Sequence, residues 1–426
     1  MRANLFAALI GMLCVAGCGG GTGSLGNNGG GGGGSTPTGS NVQAIVVDSG
    51  PTPVANSSTP AVNTAYTTVK ICAPGSTSIC QTIDHIQVDT GSSGLRILSE
   101  VLTIALPAQL DGNKNAIAEC TAFVDGSSWG SIRQADVNIG GETALKQEVQ
   151  IIGDSTYAVP TATCKGTSAN PALENTVAKF GANGILGVAP FVSDCGPGCL
   201  QQSVSSYYTC PTTATCAQSA MAENLQVSNP IAAFTTDNNG VIIQLPSVAV
   251  SGTASVSGSM IFGVGTQGNN GLGSATVFNL DSKGFLATKY GLATLNSAFI
   301  DSGSNAYYFP DQNLAANAAC AANTGFYCPS ADQNLGATMV NPANGTTKAV
   351  NFTVTNADKL FTNAKSIIAA TSGLAGNSIP FGDGTNGSIN GAQAFDWGLP
   401  FYYGKTVIVV IENKNTSGGT GPFFAF

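Results

Sequence analysis

The sequence predicts a β-rich, extracytoplasmic protein with many turns, and three observations carry that expectation. Charged residues are 9% of the 426 in the chain, against about 25% in typical soluble domains. Gly, Ser, Thr, Asn and Ala fill the gap; 55 residues are Gly. Short runs of Val and Ile at 44–47, 83–88, 241–245, 260–262 and 406–411 are bounded by Gly, Pro, Asn or Ser, the signature of strands closed by turns. Helical signals are few and short. Residues 311–320 form one candidate, and Thr355 to Asp358 reads as a capping box opening a helix toward Ser366.

The N-terminus opens on Met1-Arg2 and an apolar run from Leu5 to Ala16, too short to span a bilayer comfortably. Val15-Ala16-Gly17-Cys18 resembles a bacterial lipoprotein cleavage box. On that reading residues 1–17 are a signal peptide and Cys18 becomes the lipid-bearing mature N-terminus; ordinary secretory cleavage nearby is the alternative. Cysteine parity favours lipid. Twelve Cys, less Cys14 in the signal and Cys18 under lipid, leave ten, an even number as disulfides require in an oxidising compartment. Residues 18–41 are a Gly/Ser-rich tether unable to bury enough surface to fold, spanning on the order of 25 Å as a coil. No later segment is long and apolar enough to cross a membrane. The expected location is the bacterial cell envelope, lipid-anchored at the outer membrane or periplasmic face; Gly19 after Cys18 is compatible with outer-membrane sorting.

Cys72 with Cys80 and Cys320 with Cys328 form local pairs, and Cys120 with Cys164 is a longer one. Cys195, Cys199, Cys210 and Cys216 allow three pairings. A zinc site in that group is disfavoured by its Pro/Gly-rich, His-free, secreted context. The net charge of −8 and the lack of a basic patch argue against nucleic acid as partner.

The chain has one histidine, His85. A Ser-His-Asp or Cys-His site would have to use it, and a catalytic zinc with two or three His ligands is impossible. His85 reads as a strand residue facing away from any site or toward solvent. Gly263-Val-Gly-Thr-Gln-Gly268 matches a dinucleotide fingerprint but leads into Asn-Asn-Gly rather than a helix, so it reads as a turn. Paired carboxylates need no His, metal or cofactor, and none of these is expected.

Two phrases fit Asp-[Ser/Thr]-Gly-[Ser/Thr]: Asp89-Thr90-Gly91-Ser92 and Asp301-Ser302-Gly303-Ser304. Each follows apolar residues, Ile86/Val88 and Phe299/Ile300. A strand delivers the Asp to a tight turn, Gly lets the backbone bend close, and the flanking hydroxyls can bond across to the other turn. Two carboxyls brought together cannot both ionise easily and share one proton. One can then activate water while the other polarises a carbonyl. Asp48-Ser49-Gly50-Pro51 shows that fragments of the phrase also occur elsewhere, so Asx-type turns in an unrelated β protein are a further option.

Around these phrases the chain resembles the pepsin-like aspartic proteases. The islands are "DTGSSGLRIL" from Asp89, "NGILGVAPF" at 183–191, "NPIAAFTTDNNGVIIQLP" at 229–246, "GSMIFGVG" at 258–265, "IDSGSNAYYF" around Asp301 and "DWGLPFYYGKTVIVV" at 396–410. The resemblance covers roughly residues 42–412. It implies an all-β, mainly antiparallel, bilobal fold with few short helices and a cleft between lobes. An N-terminal lobe would span 42–255 and a C-terminal lobe 256–426. Asp89 and Asp301 match the catalytic dyad, Thr90 and Ser302 the hydroxyls that lock the loops, Ser92 and Ser304 the outer hydrogen-bonding hydroxyls, and Gly91 and Gly303 the turn glycines. The chain departs from the family at the flap. Arg96 stands where a Trp is usual, and the candidate flap at 123–141 holds no Tyr. Asp125, Gly126 and Trp129 are its flap residues, with Trp129 expected to cover the cleft. Pro400 makes the second apolar-Gly segment irregular. The chain also resembles a group of bacterial lipoproteins. Two functions follow: a surface-tethered, monomeric aspartic endopeptidase, or a pepsin-like scaffold that holds a peptide or protein partner, or a structural module, without cutting.

Overall fold

The computed structural model describes residues 39–124, 126–165, 172–364, 368–377, 381–382, 388–389 and 393–426. The expected signal peptide, Cys18, nearly all of the tether and Asp125 lie outside the described residues.

Strand Gly240–Leu245 shows why the chain folds as it does. It pairs antiparallel on both sides, with Val256–Phe262 and with Lys405–Val410. Side chains alternate across a sheet. Val241, Ile243 and Leu245 therefore enter the main core, while Ile242 joins Ile261, Ile408, Val410 and Phe423 on the other face. Being covered on both faces, the strand is apolar without interruption from Val241 to Ile243. Each such side chain contributes about 1.5–3 kcal/mol by leaving water.

This strand lies in the larger of two main sheets. Among the described residues the order is Thr215–Gln218, Tyr207–Thr212, Ala116–Ala122, Ser127–Ile139, Glu142–Ile152, Ser93–Leu98, Gly184–Val188, Cys80–Asp89, Ala65–Cys72, Val42–Val47, Val256–Phe262, Gly240–Leu245, Lys405–Val410, Phe423–Ala425 and Val277–Asn279. The last six form a backing shared by both halves of the chain. The smaller sheet runs Thr347–Val354, Gln333–Val340, Leu286–Tyr290, Ala293–Ile300, Ala394–Trp397, Tyr307–Tyr308 and Ala375–Gly376. The protein is thus an all-β, mainly antiparallel, bilobal fold. Its described α-helices are short: Thr52–Ala55, Val177–Phe180, Gln312–Asn317 and Ala357–Ala364.

Two helix starts can be compared with expectation. Asp311 caps Gln312–Asn317, accepting from the Asn313 and Leu314 amides at 2.9 Å each. The later helix is capped by Asn356, whose Oδ1 accepts from the Lys359 amide at 2.9 Å. The expected cap, Thr355, instead donates its hydroxyl to Asp332 at 2.6 Å. Short polar side chains on adjacent residues compete for one set of free amides, and the nearer one wins.

Four disulfides close local loops, Cys72–Cys80, Cys195–Cys199, Cys210–Cys216 and Cys320–Cys328, and Cys120–Cys164 closes a longer one. The four clustered cysteines pair with their nearest neighbours in sequence, and none is left for a metal. Such cross-linking places the folded chain in an oxidising, extracytoplasmic compartment. No described helix is long and apolar enough to cross a membrane.

Candidate active site

Each Asp phrase sits at the tip of the same three-strand arrangement. Strand Cys80–Asp89 runs parallel to Gly184–Val188, with Asp89 opposite Gly187. Gly184–Val188 in turn pairs antiparallel with Ser93–Leu98, so the chain leaves the Asp loop on the far side of a strand that arrives much later. In the second half, Ala293–Ile300 runs parallel to Ala394–Trp397, which pairs antiparallel with Tyr307–Tyr308. One glycine in the first inserted strand and one directly after the second are obligatory. A Cβ on Gly187 would lie 2.5 Å from the Ser92 carbonyl oxygen, and one on Gly398 would lie 2.1 Å from that of Ala306.

The two loops meet and are locked by matching bonds. The Thr90 amide donates to Ser302 Oγ at 3.1 Å, and the Ser302 amide donates to Thr90 Oγ1 at 3.0 Å. The Thr90 hydroxyl donates to the Ile300 carbonyl at 3.0 Å, and the Ser302 hydroxyl to the Val88 carbonyl at 2.8 Å. Gln87 Nε2 adds a further bond to the Gly303 carbonyl at 3.0 Å. Each hydroxyl is therefore spent across the junction, and the loops are not independent Asx turns.

The lock brings the Asp89 and Asp301 carboxyls into a mutual hydrogen bond. Both are buried, at 3% and 0% exposure. The Gly91 amide donates to Asp89 Oδ1 at 2.7 Å and Ser92 Oγ to Oδ2 at 2.5 Å. The Gly303 amide donates to Asp301 Oδ1 at 2.8 Å and Ser304 Oγ to Oδ2 at 2.9 Å. A Cβ on Gly91 would sit 2.7 Å from Asp301 Oδ1, and one on Gly303 2.5 Å from Asp89 Oδ1. Only glycine lets each backbone pass so close to the opposite acid. Burial, then the neighbouring Asp301 charge, pushes Asp89 up to about 7. Burial also works against ionising Asp301, but the bonds it receives from Asp89, Gly303 and Ser304 favour its charged form. The pair is thus poised to hold one proton, on Asp89.

Two residues at this centre were not legible as site residues. Tyr402 places its hydroxyl 2.7 Å from Thr90 Oγ1. Asp396 is buried, with its Oδ2 2.6 Å from the Ser304 hydroxyl oxygen. Strand alternation explains the second placement. Phe395 and Trp397, stacked at 4.2 Å between ring centroids, face the aromatic core, so Asp396 between them faces the loop.

The hairpin of Ala116–Ala122 and Ser127–Ile139 carries its turn toward the second half of the chain, where Val124 packs against Phe299 and Ala394. Gly126 lies against Glu174; an added Cβ would be 2.5 Å from its carboxyl carbon. Trp129 is fully buried within the first half, edge-on to Tyr208, with Nε1 donating to the Tyr157 carbonyl at 3.1 Å. Arg96 is 1% exposed. Its guanidinium donates to the Ser93 carbonyl at 2.8 Å, to Asp194 at 2.6 Å and to Glu119 at 3.3 Å. Tyr207 also donates to Asp194, at 2.8 Å. Burial, then the Glu119 charge, raises Asp194 well above the carboxylate range. This cluster braces the first loop from behind. His85 serves neither loop: its ring nitrogens lie 3.4 Å from Asp48 and 3.1 Å from Asp84. The Gly263–Gly268 segment follows strand Val256–Phe262 as a turn, without a helix.

The model of the family described as "Protein of unknown function (DUF3443)" matches residues 37–426. No curated protein matches the chain. Among solved structures, the chain is similar to an aspartic proteinase from Irpex lacteus, at 15% identity and a TM-score of 0.48, over 90% of this chain and 96% of that one.

Proposed function

Because the chain belongs to the DUF3443 family, whose description names no activity, its function has to come from its own residues, and we propose that it is an aspartic endopeptidase of the bacterial cell envelope, held to a membrane by lipid on Cys18. The observation that carries this reading is the shared hydrogen bond between Asp89 and Asp301 inside a reciprocal lock of two Asp-[Ser/Thr]-Gly-Ser loops. A water between the carboxyls gives its proton to ionised Asp301 as its oxygen attacks the scissile carbonyl carbon. Asp89 passes its own proton to the carbonyl oxygen, giving a neutral gem-diol. As the C–N bond breaks, Asp301 returns its proton to the leaving nitrogen, and Asp89 recovers one from the diol. The substrate is a peptide or unfolded protein lying between the lobes, and the working unit is a monomer.

The pH dependence follows from the two shifts. Activity requires Asp301 ionised and Asp89 protonated. It should fall as pH rises through about 7, and in strong acid as Asp301 gains a proton. Purified full-length chain should cleave an unfolded protein in mild acid, and Asp89→Asn and Asp301→Asn should each lower this by about a thousandfold or more. No cleavage from about pH 3 to about pH 8, together with no binding of a statine-type inhibitor, would sink the reading. The second reading, a peptide-holding scaffold that does not cut, would then stand. It draws on Arg96 and its carboxylates occupying the position of the Trp that usually supports a flap.

A further inference from the structure

Ser304 has one hydroxyl hydrogen and two carboxyl neighbours. Its Oγ lies 2.9 Å from Asp301 Oδ2 and 2.6 Å from Asp396 Oδ2. Both contacts can be hydrogen bonds only if one carboxyl carries a proton of its own. Asp301 is well supplied as an anion, since the Gly303 amide and Asp89 also bond to it. Asp396 is 3% exposed, and its Oδ1 has no hydrogen-bond partner among the described residues. An anion so poorly served would be costly to bury, whereas a neutral carboxylic acid costs far less. The proton therefore belongs to Asp396.

We propose that Asp396 is a positioning residue for the dyad: as a neutral acid it donates to Ser304 Oγ, and this commits the Ser304 hydroxyl to Asp301. The three groups form one directed chain, from Asp396 O–H to Ser304 O–H to the Asp301 carboxylate. Reversing it would leave Asp301 holding a proton and Asp396 charged, which removes the general base. The groups around Asp396 agree with this direction. Asp301 and Asp89 face it from the two loops, Tyr308 is its cross-strand partner, and Tyr402 lies within reach of its charge. All four are acids, and no described cation pairs with it. Burial, then the Asp301 charge, holds Asp396 well above the ordinary carboxylate range. The same position in the first three-strand arrangement is Ile185, opposite Gln87 where Asp396 is opposite Phe299. An aliphatic side chain is thus compatible with the backbone there, and the acid is not needed for packing.

The proposal rests on the peptidase reading for its catalytic consequence but not for its protonation claim, and the test separates the two. Thermal unfolding of the full-length chain is compared with Asp396→Asn, which can donate to Ser304 but cannot ionise. A buried acid with a raised folded pKa stabilises the fold fully at low pH and loses that contribution as pH rises above the unfolded value. The Tm of Asp396→Asn relative to wild type should therefore climb, by about 3 °C or more between about pH 4 and about pH 7. In cleavage assays Asp396→Asn should keep kcat within about threefold. Asp396→Leu, which cannot donate, should lose about tenfold in kcat with KM nearly unchanged, and its acid limb should move up by about one pH unit as the Ser304 hydroxyl, no longer receiving a bond, becomes a weaker and less fixed donor to Asp301. An equal Tm offset at both pH values overturns the proposal, as does Asp396→Leu with wild-type kcat and acid limb. If the wild-type protein cleaves nothing, the peptidase reading falls and the Tm comparison alone decides Asp396.

Discussion

The two Asp loops rest on the same backbone but on opposite chemistry. In the first arrangement the inserted strand offers Ile185, and the charged residue is Arg96 directly across from it. In the second, the inserted strand offers Asp396, and the residue across is Tyr308. One loop is thus backed by an ion cluster containing a permanent cation, the other by a carboxyl and an aromatic core. Matched backbone makes the carboxyls meet, and two acids held that close cannot both ionise, so they titrate apart with Asp89 as the one raised; the unmatched surroundings decide what holds each loop in place.

The largest effect that would break this comparison is loss of the cation. Arg96→Ala leaves Glu119 and Asp194 buried with no counter-charge. It should cost about 3–5 kcal/mol, read by urea unfolding. Its counterpart, Tyr308→Ala, removes buried packing beside Phe326 and the hydroxyl's bond to Asn305 at 2.7 Å, but strands no charge. A loss under about 1 kcal/mol for Arg96→Ala would mean that the first loop does not depend on its ion cluster.

The next effect tests the lock, where the halves are alike. Ser302→Ala leaves the Thr90 amide and Val88 carbonyl without partners, and Thr90→Val does the same to the Ser302 amide and Ile300 carbonyl. Each should cost about 1–3 kcal/mol. Thr90→Val should be the worse, since Thr90 Oγ1 also meets Tyr402. A reversed order would show that Tyr402 does not reinforce the first loop.

What was legible in the sequence follows the same division. The β class, the Asp loops and their meeting were readable because each depends on local backbone demands: an apolar run, then Asp, a hydroxyl and Gly. The strands found at Val42–Val47, Cys80–Asp89, Gly240–Leu245, Val256–Phe262 and Lys405–Val410 contain the expected runs, with one residue's difference at the end of the last. The surroundings were not readable. Arg96 was visible as a departure, but its partners Glu119 and Asp194 lie 23 and 98 residues away. Asp396, between Phe395 and Trp397, looks like any polar strand residue until the alternation of that strand is seen to aim it at Ser304. Trp129 is expected over the cleft because the candidate flap holds no Tyr, yet its ring is engaged by Tyr208 and the Tyr157 carbonyl within the first half. The pairing of Cys195, Cys199, Cys210 and Cys216 needed coordinates because four thiols in one short stretch satisfy any of three connections on paper.

The smallest effect concerns the third fragment of the phrase, Asp48-Ser49-Gly50. The Gly50 amide donates to Asp48 Oδ1 at 2.9 Å, the same local turn that Gly91 and Gly303 make at the dyad. The turn alone therefore specifies nothing; what Asp48 lacks is a partner loop, and it faces His85 instead. Its hydrogen bond with Asp48 is the main cause that raises the His85 pKa. The contribution of that pair is complete below the unfolded histidine value of about 6.5 and disappears as pH rises through the higher folded value. His85→Asn should accordingly lower stability by under about 1 kcal/mol in mild acid, by progressively less toward alkaline pH, and should leave cleavage unchanged. A loss that grows with pH would mean that His85 acts as a neutral group. A loss of cleavage would mean that the decoy turn communicates with the dyad after all, through the strand from His85 to Asp89.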